Sequence, residues 1–247
     1  MNDPIFVKNK IKPFNKIISV TGDKSLSIRW ALLASQAKGK SRAYNILRSS
    51  DVINTLNCLK RLGIKVKLKK KYCEIEGFGL NKFNNKKQIT LNAGNSGTLG
   101  RLILGLLVCH DKKIRVVGDK SLSRRDFSRV IIPLKKFGAK FKYKKNYKLP
   151  IEIIGTRNPK PIFYQENKGS AQCKSSIMLA ALNTKEETII KAKKSRNHTE
   201  ILFKYLKIPI KIKKNKKFDF IKIKGGKPIN NFNYKIPSDI SSSAFFI

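Results

Sequence analysis

The chain has 247 residues, 40% of them hydrophobic, and 55 Lys and Arg against 15 Asp and Glu give a formal net charge of +40. Length and apolar content suffice for one large or two small domains with a real core. The longest apolar stretches, such as Leu102 to Cys109, fall far short of the roughly 20 residues of a membrane span. The opening MNDPIFVKNK has no basic stretch, apolar core and small-residue cleavage site in succession, so a cytoplasmic location is expected. Cys58, Cys73, Cys109 and Cys173 form no CxxC pair, and His110 and His198 are the only imidazoles. That pattern argues against a disulfide framework, a zinc site and a multi-histidine metal centre.

Along the chain, Gly22-Asp23-Lys24-Ser25 opens a first helix with small polar residues. Asp51 to Lys70 (DVINTLNCLKRLGIKVKLKK) then begins with an Asp suited to cap a helix. It continues with Val52, Leu56 and Leu59 at helical spacing, reaches Gly63 as a left-handed stop, and switches to strict apolar and polar alternation. A lysine-rich turn leads to a second strand, Tyr72 to Ile75, closing a hairpin.

The same order recurs. Gly94-Asn95-Ser96-Gly97-Thr98 opens the apolar helix that contains Leu102 to Cys109. Asp126 to Lys145 follows, with Phe127, Val130 and Leu134 as its apolar face, Gly138 as its stop and Pro150 to Ile154 as its return strand. In the third copy Gly169-Ser170-Ala171-Gln172 opens the helix of Ile177 to Leu182. Asn197 to Lys214 continues with Ile201 and Tyr205 as the apolar positions, Pro209 as breaker and Phe218 to Ile223 as return strand. The three helix-then-hairpin segments start at 51, 126 and 197, so they lie 75 and 71 residues apart. A fourth opening, Ser238-Asp239-Ile240-Ser241-Ser242, is followed only by Ala244-Phe245-Phe246-Ile247, which predicts that the reading frame is interrupted there.

A repeat of this kind decides the architecture. The first helix of each copy is apolar on nearly every side and is expected inside, with the lysine-bearing strands outside. Lysines alternating with apolar residues are the pattern of a strand with one solvated face, and the excess of Ile, Asn, Lys, Phe and Tyr is what an AT-rich coding sequence produces. Nucleic acid is therefore not expected as a partner, despite the charge. If the three openings meet at one end, their unpaired N–H groups form a floor for anions, with Lys24, Ser25, Arg29, Asn95, Gly97, Ser170 and Gln172 upon it.

Several segments resemble those of EPSP synthases. GDKSLSIR is similar to the family's KS-x-S/T-x-R opening, LNAGNSGTLGR to LxxGNAGT-x-x-R, and GDKSLSRRDFSRVIIPLKKFGA to its GD-x-SL-x-x-RP stretch. GSAQCKSSIMLAAL, SRNHTE and IPSDISSSAFF resemble SAQ-x-KS-x-x-LLA, SRDHTE and VPGD-x-SSAAFF, in the family's order over essentially the whole chain.

The resemblance implies an α/β fold, the inside-out α/β barrel of enolpyruvyl transferases, whose domains each hold three βαβαββ units. Residues 21–235 would be one complete domain, with 1–20 and 236–247 belonging to an incomplete second one. The implied reaction moves an enolpyruvyl group from phosphoenolpyruvate to the 5-hydroxyl of shikimate 3-phosphate, with no cofactor, metal, nucleic acid or membrane, in a protein monomeric at full length. Lys24 would be catalytic and touch both substrates. Ser25, Arg29, Ser170, Ala171, Gln172, Ser195 and Arg196 would hold shikimate 3-phosphate. Asn95, Gly97 and Arg125 would bind phosphoenolpyruvate, with Gln172 reaching it too; Lys174 matches a family lysine that could equally cover the helix end.

Ile28, Thr21, Asp126 and Asn197 depart from the family's pattern, and Asp126 is expected to weaken the hold of Arg125 on an anion. The family's aspartate general base falls beyond Ile247, so the chain alone is expected to be inactive. Gly97 leaves room that implies inhibition of the full-length enzyme by glyphosate. Two rivals are weighed. The sister transferase acting on UDP-N-acetylglucosamine usually has a reactive cysteine where this chain has Lys120. A basic nucleic-acid-binding module would need lysines and aromatics gathered on one face.

Overall fold

Asp23 starts the first helix: its carboxylate accepts the Leu26 N–H at 2.6 Å, satisfying a donor that has no partner within the helix. The chain runs on as α1 (Lys24–Ala34), β1 (Ala37–Tyr44), α2 (Ser50–Arg61), β2 (Lys65–Leu68) and β3 (Tyr72–Phe78). A second unit comprises β4 (Ile89–Asn92), α3 (Gly97–Leu106), β5 (Ile114–Val117), a short α4 (Lys120–Ser123), α5 (Ser128–Lys136), β6 (Lys140–Lys144) and β7 (Lys148–Ile154). The third has β8 (Phe163–Glu166), α6 (Ala171–Ala181), β9 (Glu187–Lys193), α7 (His198–Tyr205), β10 (Ile210–Lys214) and β11 (Phe218–Lys224). Then come β12 (Ile229–Asn230), β13 (Asn233–Lys235) and α8 (Ile240–Ser243). The computed structural model of the chain describes Asn15, Ile17 and residues 20–84 and 88–243; most of segment 1–20 and the tail Ala244 to Ile247 lie outside the described residues.

The second and third units each build a four-stranded sheet, in the orders β4-β5-β7-β6 and β8-β9-β11-β10, with the first pair parallel and the others antiparallel. Among the described residues no strand precedes α1 in the first unit. Instead β12 and β13 pair parallel with β1 and take that place beside β3 and β2. The residue pattern alone reads as helix, strand, helix and hairpin in each copy, the leading strand of each unit coming only from the family resemblance. The pattern missed these two because they are two and three residues long and too short to show an alternation.

Helices α1, α3 and α6 are buried on nearly every side and form the centre, as expected. Contact between α3 and α6 is close: a methyl at Gly105 would sit 2.1 Å from the Ser176 carbonyl oxygen. Gln172 meets Thr98 and Ser176 meets Arg101 and Gly105, so the two helices run in the same sense from adjacent starts. The hairpins lie outside with the β2, β6 and β10 lysines exposed and their apolar partners half-buried.

Gly63 and Gly138 end α2 and α5 at φ of +85° and +107°, and in the third copy Lys207 takes the left-handed position at +53°, ahead of Pro209. Two expectations need correction. Helix α7 buries Leu202 and Phe203, while Ile201 and Tyr205 are 44% and 52% exposed. The cause is that the third helix also buries Thr199 and Glu200, polar residues that a search for apolar spacing passes over. Nor do Asp51, Asp126 and Asn197 share one capping role. Asp51 lies inside the first turn of α2 and pairs with Lys24 at 3.2 Å, Asn197 makes no side-chain cap bond, and Asp126 accepts the Ser128 N–H at 2.7 Å.

Candidate anion-binding site

Ser96 and Ser170 do for α3 and α6 what Asp23 does for α1, accepting the N–H of Leu99 and of Cys173, each at 3.2 Å. The approach to α6 is fixed from below by Glu166, whose buried carboxylate accepts the N–H groups of Lys168 and Ser170 at 3.1 and 3.0 Å. Between these starts and α5 lies a cleft of about 350 Å³ lined by Arg101, Arg125, Asp126, Arg129, Ser170 and Gln172.

Gln172 is held at both ends of its amide: Nε2 donates to Thr98 Oγ1 at 3.0 Å, and Oε1 accepts from Arg101 Nη1 at 3.0 Å. Arg101 also donates to the carbonyls of Gly97 and Asp126, both at 3.2 Å, and its guanidinium lies 4.9 Å from the centre of the Phe127 ring. Arg125 is exposed, and its Nη2 donates to Asn95 Oδ1 at 3.3 Å. Gly97 sits between the two arginines. A methyl there would lie 2.8 Å from Arg101 Nη1 and 2.9 Å from Arg125 Nη1.

The cleft is net cationic, three arginines against the one carboxylate of Asp126. Among the described residues none of Arg101, Arg125 and Arg129 pairs with a carboxylate. Burial, with repulsion from Arg125 and Arg129, holds the Arg101 pKa below the ordinary guanidinium value. Asp126 lines the same cleft but turns to Ser128, accepting from its N–H and, at 2.6 Å, from its hydroxyl. Its carboxylate is thus held by Ser128, the first residue of α5, and makes no ion pair with Arg125 among the described residues.

A second group gathers around the start of α7. Arg29 is 4% exposed; its Nε donates to Thr199 Oγ1 at 2.9 Å, Nη1 to the Ser25 carbonyl at 3.0 Å and Nη2 to Ser175 Oγ at 3.0 Å. Burial brings its pKa down to about 10 against the pull of Glu200 and Asp23. Arg196 is exposed, and it acts with Arg29 and burial to hold the His198 pKa down, with Asp23 and Glu200 opposing. Asp23 of the α1 start and Arg196 before α7 are thus neighbours. Lys24 is exposed beside Asp51, Ser25 and Ala171 are half-buried, and Ser195 Oγ is buried without a partner. Ser195 lines a smaller pocket of about 250 Å³, with Glu200 and Asp219.

The residues picked from sequence therefore fall into two neighbouring groups at one end of the helices. Arg125, Ser170 and Gln172 line the arginine cleft with Gly97 against its arginines, whereas Lys24, Arg29, Ser195 and Arg196 lie about the starts of α1 and α7. Arg101 and Arg129 were not picked; Arg101 stands on α3 one turn after Gly97, whereas Arg129 lies in the first turn of α5 and Arg125 in the link before it. Lys174 is fully buried and forms an ion pair with Glu200 at 2.5 Å, so it ties α6 to α7 and does not cover a helix end. The four cysteines are free and buried, with pKa pushed up to about 12 by burial. No helix among the described residues is long and apolar enough to cross a membrane.

The family model for EPSP synthase (3-phosphoshikimate 1-carboxyvinyltransferase) matches residues 8–247. The chain belongs to the EPSP synthase family. It is 38% identical over 245 residues to a 3-phosphoshikimate 1-carboxyvinyltransferase of Thermoanaerobacter sp. (strain X514), covering 98% of this chain and 56% of that relative. A relative so named from Petrotoga mobilis (strain DSM 10674 / SJ95) is 39% identical over 237 residues, covering 94% of this chain and 54% of its own length. The solved EPSP synthase from Acinetobacter baumannii superposes with a TM-score of 0.86 at 32% identity, over 93% of this chain and 51% of that one. The chain thus has the fold of EPSP synthases and spans about half the length of the curated relatives it matches.

Proposed function

We propose that this chain carries the anion-gripping part of an enolpyruvyl transferase that moves the enolpyruvyl group of phosphoenolpyruvate to the 5-hydroxyl of shikimate 3-phosphate. The observation that carries the reading is the net cationic cleft of Arg101, Arg125 and Arg129 at the starts of α3 and α6. Both substrates are anions. Charge-assisted hydrogen bonds from fixed donors in such a setting are strong, and placed donors supply much of the catalysis where negative charge develops.

In this reading Asn95, Gly97 and Arg125 receive phosphoenolpyruvate, with Gln172 at the join between the substrates. Ser25, Arg29, Ser170, Ala171, Gln172, Ser195 and Arg196 receive shikimate 3-phosphate, and Lys24 lies between the two. Arg29 has part of its fork committed to Thr199, Ser25 and Ser175, so it serves the ligand mainly by fixing α1 against α6 and α7. Residues 21–235 act as one domain and residues 1–20 and 236–247 belong to a second. Removal of the 5-hydroxyl proton is assigned to none of these residues, so the chain by itself binds without turning over. The reaction uses no cofactor, metal, membrane or nucleic acid, and its setting is a cytoplasmic protein that is monomeric at full length.

Against the sister reaction on UDP-N-acetylglucosamine stand Lys120, where the reactive cysteine would be, and Cys109, a buried thiol raised to about 12. Calorimetry of the 247-residue chain tests the choice. The expected result is saturable heat with shikimate 3-phosphate and none with UDP-N-acetylglucosamine; the reverse would overturn the assignment.

A further inference from the structure

The three sheets turn one face to the helices and one to solvent, and the solvent faces differ. In the third sheet the inner face carries Ile190, Ile221 and Ile223, all buried. Register then fixes the outer face. Phe163 lies beside Ile189, which lies beside Lys222 and then Lys211. Gln165, Lys191, Phe220 and Lys213 form the next row, and Lys193 lies beside Phe218.

Phe163 is 60% exposed and Phe218 and Phe220 are half-buried, so rings that burial would otherwise hide stand on an open surface. The Lys191 ammonium lies 4.9 Å from the Phe218 ring centre and 5.8 Å from that of Phe220, and a concavity of about 550 Å³ runs over Lys211, Lys213, Phe220 and Lys222. In these rows the one carboxylate is Glu187, at the far end, 3.9 Å from Lys222.

The other two outer faces are also cationic, but their carboxylates stand in the middle of the rows and no phenylalanine of theirs alternates with the lysines as Phe218 and Phe220 do. Glu74 and Glu76 stand between cations on the first, paired with Arg42 at 2.8 Å and Lys65 at 3.6 Å, and Glu152 stands between Lys142 and Arg115 on the second. Rings interleaved with lysines in excess of carboxylates on a sheet fit a polyanion that also presents flat faces, because phosphates take the ammonium groups while bases stack on the rings.

We propose that the outer face of β8-β9-β11-β10 binds single-stranded nucleic acid, with bases on Phe163, Phe218 and Phe220 and phosphates on the lysines around them. This goes beyond the transferase reading and departs from the expectation that nucleic acid is no partner. That expectation rested on lysines spread along the chain, and folding gathers one set of them with three rings.

The test is fluorescence anisotropy of the 247-residue chain with a labelled oligothymidylate of about 16 nucleotides, a duplex of the same length, and heparin, across salt. The single strand is expected to bind more tightly than the duplex, with affinity falling as salt rises. Phe163→Ala with Phe220→Ala is expected to weaken the single strand roughly tenfold or more while leaving heparin unchanged. Lys211→Glu with Lys213→Glu is expected to weaken it at least as much. The control Lys140→Glu with Lys142→Glu, of identical net charge but on the second sheet, is expected to change it less than about twofold. Equal loss in the control, or full binding by the phenylalanine variant, overturns the proposal. So does a phenylalanine variant that alters only self-association, which would make the face a contact between copies. Calorimetry with shikimate 3-phosphate should be the same for every one of these variants, so this proposal and the transferase reading fail separately.

Discussion

Arg29 and Arg125 bring the same guanidinium to neighbouring helix starts in two conditions. Arg29 is 4% exposed, donates to Thr199, Ser25 and Ser175, and has its pKa drawn down to about 10 by burial. Arg125 is exposed and has one bond of 3.3 Å to Asn95. The first cation is largely committed to the fold, and the second is held by a single bond. Lys174, fully buried against Glu200, is likewise committed to the fold, and Lys24, though exposed, is paired with Asp51 at 3.2 Å. Cations that lock α1, α6 and α7 together thus frame a cleft whose own arginines pair with no carboxylate among the described residues.

This division predicts that stability and affinity respond to different residues. The largest effect is expected for Lys174→Ala, which strands the buried Glu200 carboxylate and costs about 3–5 kcal/mol of unfolding free energy, measured by urea titration. Arg29→Ala follows. It removes the donors that Thr199 and Ser175 accept from, leaving only their mutual bond of 2.7 Å, and should lower stability by about 2 kcal/mol in the same titration, with ligand binding weakened as well. Arg125→Ala inverts the pattern: stability is expected within about 0.5 kcal/mol of the parent, while affinity for phosphoenolpyruvate or another small anion drops by about 2 kcal/mol in calorimetry.

Gly97→Ala should be milder. Its methyl would press on two guanidinium ends, which are flexible, so the fold should persist and anion affinity should fall by about 1 kcal/mol. Inhibition of the full-length enzyme by glyphosate should weaken with it. The smallest response is expected from the thiols: Cys58, Cys73, Cys109 and Cys173 are held protonated by burial, so labelling by a thiol reagent at pH 8 should be negligible until denaturant is added.

Much of the fold that frames the cleft was legible in the sequence, whereas the division between Arg29 and Arg125, both read there as ligands, was not, and the failures have physical causes. The three polar openings read as caps because the side-chain oxygens of Asp23, Ser96 and Ser170 do accept helix N–H groups. Alternation in β2, β6 and β10 read correctly because one face of each meets water. Helix α7 misled because its inward face includes Thr199 and Glu200, whose burial depends on partners far along the chain, Arg29 and Lys174. Strands β12 and β13 were invisible because their pairing with β1 is set by tertiary closure of the first unit and not by local pattern. Arg129 carried no signal of its own: only the packing of α5 beside α6 turns it into the cleft.

Amide NMR of the 247-residue chain titrated with shikimate 3-phosphate and then phosphoenolpyruvate tests most directly whether helix starts from successive repeats form one anion site. The account predicts that the amides of Ser25, Thr98 and Gln172 shift together and follow a single dissociation constant for each ligand. Shifts confined to one helix start, or saturating separately at the three, would contradict it.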